Sequence, residues 1–317
     1  MLLVLLLLVC VVAILLWTRQ ARYTPLPGQV KASEVGASNA QHGRYPYICQ
    51  LFIGNASFCT GFLIGPQTVL TAAHCIYTHA KSPADVKVFV GHGARVDAAP
   101  ADAANDLATG VMEQHSVVTI RLPMAYPANA SIDFAILTLD RPSSKPHVKV
   151  LGLTLKGKRM PKSGTAVTSI GYGLAYRPDQ LNDGNPVNLM ENTLYFTTMN
   201  NTTLITDGKP YSNGNQRGTC FGDSGGPLLL KGRTMDRDVV IGICQSGQVS
   251  GNNNEIECDS SDVFTRTDII GMAQKYVWSG PVGHSKGLRC SKDSDCQSQH
   301  CIFTQLGQSK QSAFVCS

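Results

Sequence analysis

The chain has 317 residues, 15% of them charged, with a formal net charge of +5 and eleven cysteines. That length can bury a sizeable core, as one large or two smaller domains. The positive charge is spread along the chain instead of gathering in runs, which argues against nucleic-acid binding, and the cysteines point to an oxidising compartment.

From Leu2 to Trp17 the chain is uncharged and almost wholly apolar, and Arg19 and Arg22 follow. This is a little short for a bilayer span, so residues 1–22 read as a signal peptide or a short membrane anchor, and 23–33 as a propeptide or linker. Either makes the protein secreted or extracellular, or anchored and facing the lumen or outside. Membrane contact is expected only if the segment is an uncleaved anchor. Setting aside Cys10 leaves an even number of cysteines for pairing.

Short apolar runs at residues 48–53, 86–90, 135–139 and 239–244 are bounded by Gly, Pro and Asn, which predicts a β-rich fold. Apolar spacing over residues 267–278 suits a C-terminal helix. Gly280-Pro281-Val282-Gly283 then reads as a linker into a tail carrying Cys290, Cys296, Cys301 and Cys316. So short a segment has little core, and two disulfides of open connectivity would hold its shape. His300 invites a zinc reading, but an exported chain favours disulfides. The tail either docks a partner or caps the domain. Sequons at Asn55, Asn129, Asn200 and Asn201 are glycosylation acceptors if the host is eukaryotic.

Three motifs carry chemistry. Gly222-Asp223-Ser224-Gly225-Gly226-Pro227 presents one serine hydroxyl in a glycine-rich turn. A hydroxyl is a poor nucleophile at neutral pH and needs a base, which in turn needs an orienting group. His74, in Thr71-Ala72-Ala73-His74-Cys75, and Asp133, at the mouth of the apolar run Phe134-Ala135-Ile136-Leu137, are the candidates. Each motif alone has a bland reading as loop, core packing or turn, but the three in this order and wording do not arise together by chance.

With these motifs, residues 34 to about 280 resemble the trypsin/chymotrypsin-like serine endopeptidases. The resemblance implies an all-β fold of two antiparallel six-stranded β-barrels around a catalytic cleft, with a C-terminal helix and, beyond the family, a small disulfide-rich tail at 281–317. It makes Ser224 the nucleophile, His74 the general base and Asp133 its orienting partner, with the N–H groups of Gly222 and Ser224 as the oxyanion hole. It implies protein or peptide substrates, no cofactor and no metal. It also suggests disulfides Cys59–Cys75 and Cys220–Cys258, with Cys244 a rival partner for Cys220; Cys49 has no obvious mate.

The chain departs from the family pattern in the pocket and at activation. Gly218 stands at the floor position where trypsin-like relatives carry Asp, beside Thr219 and opposite Gly247, and an acid reappears at Asp262, on the wall. A carboxylate there could pair with Lys or Arg from the side, predicting cleavage after basic residues with relaxed selectivity. If Asp262 instead points to solvent, the pocket is neutral and elastase-like. Gln245 and Ser246 replace the Ser and Trp usual beside the triad. Relatives are activated by a new apolar N-terminus pairing with the Asp before the nucleophile, here Asp223. The matching residue is Glu34, preceded by Ser33, and two carboxylates buried together are costly, so maturation is expected within residues 23–34 by a modified route. A catalytically silent binding protein on the same fold is the other functional class.

Overall fold

The computed structural model describes residues 37–54, 57–77, 79–155, 157, 159–173, 187–208, 218–250, 257–273, 277–279, 301–305 and 312–316. The apolar N-terminus, residues 23–34, Asn55, Cys290 and Cys296 lie outside these.

After a short strand β1 (Ser38–Asn39), six strands follow: β2 (Ile48–Ile53), β3 (Ser57–Gly65), β4 (Thr68–Thr71), β5 (Val86–Val90), β6 (Glu113–Pro123) and β7 (Ala135–Leu139). They pair in the order β6-β5-β2-β3-β4-β7, and a β6–β7 pairing closes the ring into an antiparallel barrel. Closure gives each strand of the ring a hydrogen-bonded neighbour on both sides. Next come β8 (Lys149–Val150), β9 (Ala166–Gly171), β10 (Met190–Met199), β11 (Thr203–Gly208), β12 (Pro227–Leu230), β13 (Val239–Ser250) and β14 (Glu257–Arg266). The order β10-β11-β14-β13-β12-β9, with β9 also paired to β10, closes the second barrel.

The alternation that builds a barrel wall is visible in β6, where His115 and Val117 face in and Gln114, Ser116 and Val118 face out. A bulge against β7 between Val117 and Thr119 shifts the phase, so Ile120 and Leu122 become the buried residues. The strand thus serves the interior on both sides of a bend.

The barrels share a core. Ile48, Leu51, Phe62 and Leu70 of the first belong to the same buried cluster as Ile170, Leu229, Val240 and Ile243 of the second. Arg44, ahead of the first barrel, reinforces the join with a bidentate pair to Asp238 at the start of β13, Nη1 to Oδ2 at 2.6 Å and Nη2 to Oδ1 at 2.7 Å. The Tyr47 hydroxyl donates to Asp238 Oδ2 at 2.7 Å. Asp238 is fully buried, and these donors offset its desolvation.

Helix is scarce. The sequence reading did not single out Pro100–Ala108 (α2, with α1 being Ala73–Tyr77), whose Pro100 opens the helix at a position where no N–H is needed. The helix expected over 267–278 is shorter: a 3₁₀ turn Thr267–Ile269 leads into α3 (Ile270–Ala273), and Val277–Ser279 is a strand, β15, paired with the end of β6. Val277 and Trp278 favour strand conformation, and the β6 end offers them backbone partners. In the tail, β16 (Cys301–Gln305) and β17 (Ser312–Cys316) form an antiparallel ribbon with Cys301 opposite Cys316. The side chains of all four tail cysteines lie outside the description.

Candidate active site

Strand pairing brings the first two candidates together. Thr71, the last residue of β4, is in register with Ala135, the first of β7. The residues just beyond that sheet end are therefore His74, on α1, and Asp133, and they meet. His74 Nδ1 is 2.6 Å from Asp133 Oδ2, and the His74 backbone N–H donates to Oδ1 at 2.8 Å. A carboxylate only accepts, so Nδ1 donates to it, and in the neutral imidazole that tautomer leaves the Nε2 lone pair free. Asp133 is 2% exposed and the His74 side chain 34%, a buried acid steering an accessible imidazole.

The disulfide Cys59–Cys75 is formed, with Cα atoms 6.3 Å apart, and ties β3 to the helix that carries His74. Cys75 Sγ lies 3.8 Å from His74 Nε2 and 3.7 Å from the Ser224 carbonyl oxygen. The serine turn and the imidazole therefore converge on one disulfide although they come from different barrels.

The turn is held by many backbone bonds. Asp223 N–H donates to Cys220 O at 3.0 Å, Gly226 N–H to Asp223 O at 2.8 Å, Gly225 N–H to Cys244 O at 2.8 Å, and Thr60 N–H to Ser224 O at 2.9 Å. The Thr60 hydroxyl donates to Gly222 O at 2.8 Å. Among the described residues no hydrogen bond uses the N–H of Gly222 or of Ser224, which leaves two free donors in one turn. Gly225 has φ +81°, and a Cβ there would lie 2.1 Å from Thr71 Oγ1 and 2.8 Å from Ala72 N. Only glycine lets the turn approach the strand that leads to His74.

Asp223 is enclosed by backbone. Oδ1 accepts from Gly173 N–H at 2.8 Å and Oδ2 from Cys220 N–H at 2.9 Å. Cβ atoms on Gly171 or Gly173 would fall 2.1 and 2.4 Å from this carboxyl. Burial pushes the group up to about 6 despite those two donors. Glu34, the residue matched to the activating N-terminus of relatives, lies outside the description.

Asp262, the expected pocket acid, departs from the solvent-facing alternative: it is fully buried. Its β14 position, opposite Thr206 of β11, turns it inward beneath Thr219. The Thr219 N–H lies 3.0 Å from both carboxylate oxygens, and its hydroxyl donates to Oδ1 at 2.8 Å. Burial pushes Asp262 up to about 7, and Asp223 and Asp207 add to the rise. Gly218 is held through its carbonyl by Asn192 Nδ2 at 3.0 Å. Phe221, two residues before Asp223, is 53% exposed. Gln245 turns away to donate to Ala130 O at 2.6 Å. Gly247 lies on β13 beyond the part whose surroundings are described.

Cys220 is disulfide-bonded, and its rival partner Cys244 is a free buried thiol, as is Cys49. The Cys258 side chain lies outside the description. Asn129 and Asn200 are exposed, as is Asn201, although the Asn200 side chain is occupied as acceptor for the Thr202 and Thr203 N–H groups, each at 2.8 Å. Thr60 was not found by motif reading, since a threonine in a strand carries no pattern, and the bonding of Thr219 to Asp262, both named from the sequence, was not foreseen.

The Trypsin family model matches residues 34–270. The chain is 30% identical over 228 residues to a protein named serine protease SP24D from Anopheles gambiae, covering 68% of this chain and 75% of that one. It is likewise 30% identical over 245 residues to brachyurin from Leptuca pugilator, covering 73% of this chain and 92% of that one.

Proposed function

The chain belongs to the trypsin family of serine proteases, and from that premise we propose that it is a secreted endopeptidase acting through Ser224, His74 and Asp133. The observation that carries this reading is the bonded His74–Asp133 pair beside a serine turn in which, among the described residues, no partner takes the N–H of Gly222 or Ser224. In the proposed reaction His74 Nε2 accepts the Ser224 proton as Oγ attacks the scissile carbonyl, and Asp133 stabilises the imidazolium. The N–H groups of Gly222 and Ser224 receive the charge that develops on the carbonyl oxygen, and the imidazolium then protonates the departing amine. Water repeats the sequence to release the acyl group. No step calls for a metal or cofactor. Labelling of Ser224 by a fluorophosphonate probe tests the reading; a folded, processed protein that stays unlabelled refutes it and leaves the silent binding protein.

For specificity we propose cleavage after Lys or Arg with relaxed selectivity. A carboxylate beneath the Gly218–Thr219 floor attracts a cation, but both its oxygens already accept from Thr219 and its burial leaves it partly neutral near pH 7. A peptide-library profile with no preference for basic residues would support the neutral pocket instead.

The domain scheme follows: export by residues 1–22, maturation within 23–34, a protease domain over 34–280 and a disulfide-held tail over 281–317 that docks a partner or caps the domain. Glycosylation of Asn129 or Asn201, both exposed, would accord with secretion in a eukaryotic host. N-terminal sequencing of the active protein tests the maturation window.

A further inference from the structure

We propose that Thr60 is a positioning residue for the oxyanion turn, its hydroxyl holding the Gly222 carbonyl so that the Gly222 N–H stays free to face the reacting oxygen. This rests on the protease reading above. Thr60 is fully buried on β3, in the first barrel, whereas the turn belongs to the second. It takes the carbonyls of two alternate residues of the turn, Gly222 through its hydroxyl at 2.8 Å and Ser224 through its N–H at 2.9 Å. Both oxygens are thereby gathered on one side.

The peptide between Gly222 and Asp223 is fixed at both ends, its carbonyl by Thr60 and its N–H by Cys220 O at 3.0 Å. It cannot rotate without breaking both bonds, so the preceding peptide, which carries the Gly222 N–H, is joined to a Gly222 whose carbonyl side is fixed. The hydroxyl is itself fixed, because it accepts from Tyr172 N–H at 3.3 Å and so must give its proton to Gly222. The next N–H, that of Gly173, donates to Asp223 Oδ1 at 2.8 Å. Arg95 Nη1, 2.8 Å from the Tyr172 carbonyl, anchors this strand end from beneath. The turn is therefore held from Tyr172 and Gly173 by two routes, one through the Asp223 carboxylate and one through the Thr60 hydroxyl. The second route needs no inserted N-terminus, which matters in a chain whose Glu34 is ill suited to that role.

The test is steady-state kinetics on purified Thr60→Val, Thr60→Ser and Thr60→Gly, normalised to the Ser224 fraction titrated by a fluorophosphonate. Val and Gly, which lack the hydroxyl, are expected to lower kcat about 10- to 100-fold with KM changed less than about threefold, and Ser to restore kcat to within about threefold. If Val does not fold, Gly, which retains the backbone N–H, carries the same expectation. Wild-type kcat within about twofold in either hydroxyl-free variant overturns the proposal while leaving the protease reading intact. Equal loss in Ser overturns it too. An inactive, unlabelled wild type would instead sink the reading on which it rests.

Discussion

Thr219 closes over Asp262 with both of its polar groups, its N–H 3.0 Å from each carboxylate oxygen and its hydroxyl 2.8 Å from Oδ1. The acid is thereby sealed from water, with both oxygens accepting from Thr219. Because burial holds it up to about 7, its charge changes near neutrality. Preference for Lys and Arg over apolar side chains is expected to rise as pH goes from about 5.5 to 8.5, read from library profiles at both values. Asp262→Asn should remove that pH dependence and lower kcat/KM for basic substrates about 10- to 100-fold.

Raised acids also affect stability. Asp262 and Asp223 hold their protons more tightly when folded than when unfolded, so between about pH 4 and 7 the folded state binds more protons and stability from these groups falls as pH rises. Urea unfolding across that window should show a declining slope that Asp262→Asn reduces.

Glu113 has the opposite sign. Burial pushes its carboxyl up, but donors from Ser143, Ser144 and His115 outweigh that and hold it down to about 2. Its contribution is complete above the unfolded value near 4.3, is lost as pH falls towards 2, and is worth about 2–3 kcal/mol. Unfolding of Glu113→Gln should lack that part of the acid limb.

Removing Asp133's charge should leave structure but not rate. Asp133→Asn keeps a side chain of the same shape while allowing the wrong ring tautomer at His74, so kcat is expected to fall about 10⁴-fold with melting temperature little changed. A fall of less than tenfold would remove Asp133 from the mechanism.

The Arg44–Asp238 pair should matter to stability alone. Asp238→Ala leaves the largely buried guanidinium and the Tyr47 hydroxyl without their acceptor, a loss of about 3–5 kcal/mol by denaturant unfolding. Ser224 labelling of the folded fraction should persist.

Much of the fold was legible in the sequence. The short apolar runs bounded by Gly, Pro and Asn pointed to a β-rich fold, and the turn around Ser224 with the His74 and Asp133 motifs carried the family resemblance that implied the two barrels, because strands and catalytic motifs leave local signatures. The region over 267–278 was misread as continuous helix because its spacing suits a helix while the β6 end competes for Val277 and Trp278 as strand. The Pro100–Ala108 helix escaped notice because nine mostly small residues give a weak periodic signal.

By itself, then, the sequence determined a β-rich fold and, through motifs written in short contiguous stretches, a resemblance to the family that implied two barrels and named the candidate site residues. Only the tertiary structure decided that Asp262 is buried under Thr219, that Cys244 stays a free thiol and that Thr60 ties the two barrels at the serine turn. Those outcomes depend on hydrogen bonds between residues far apart in the chain, and only the closing of each barrel and the packing of one against the other fixes which groups lie close enough to form them.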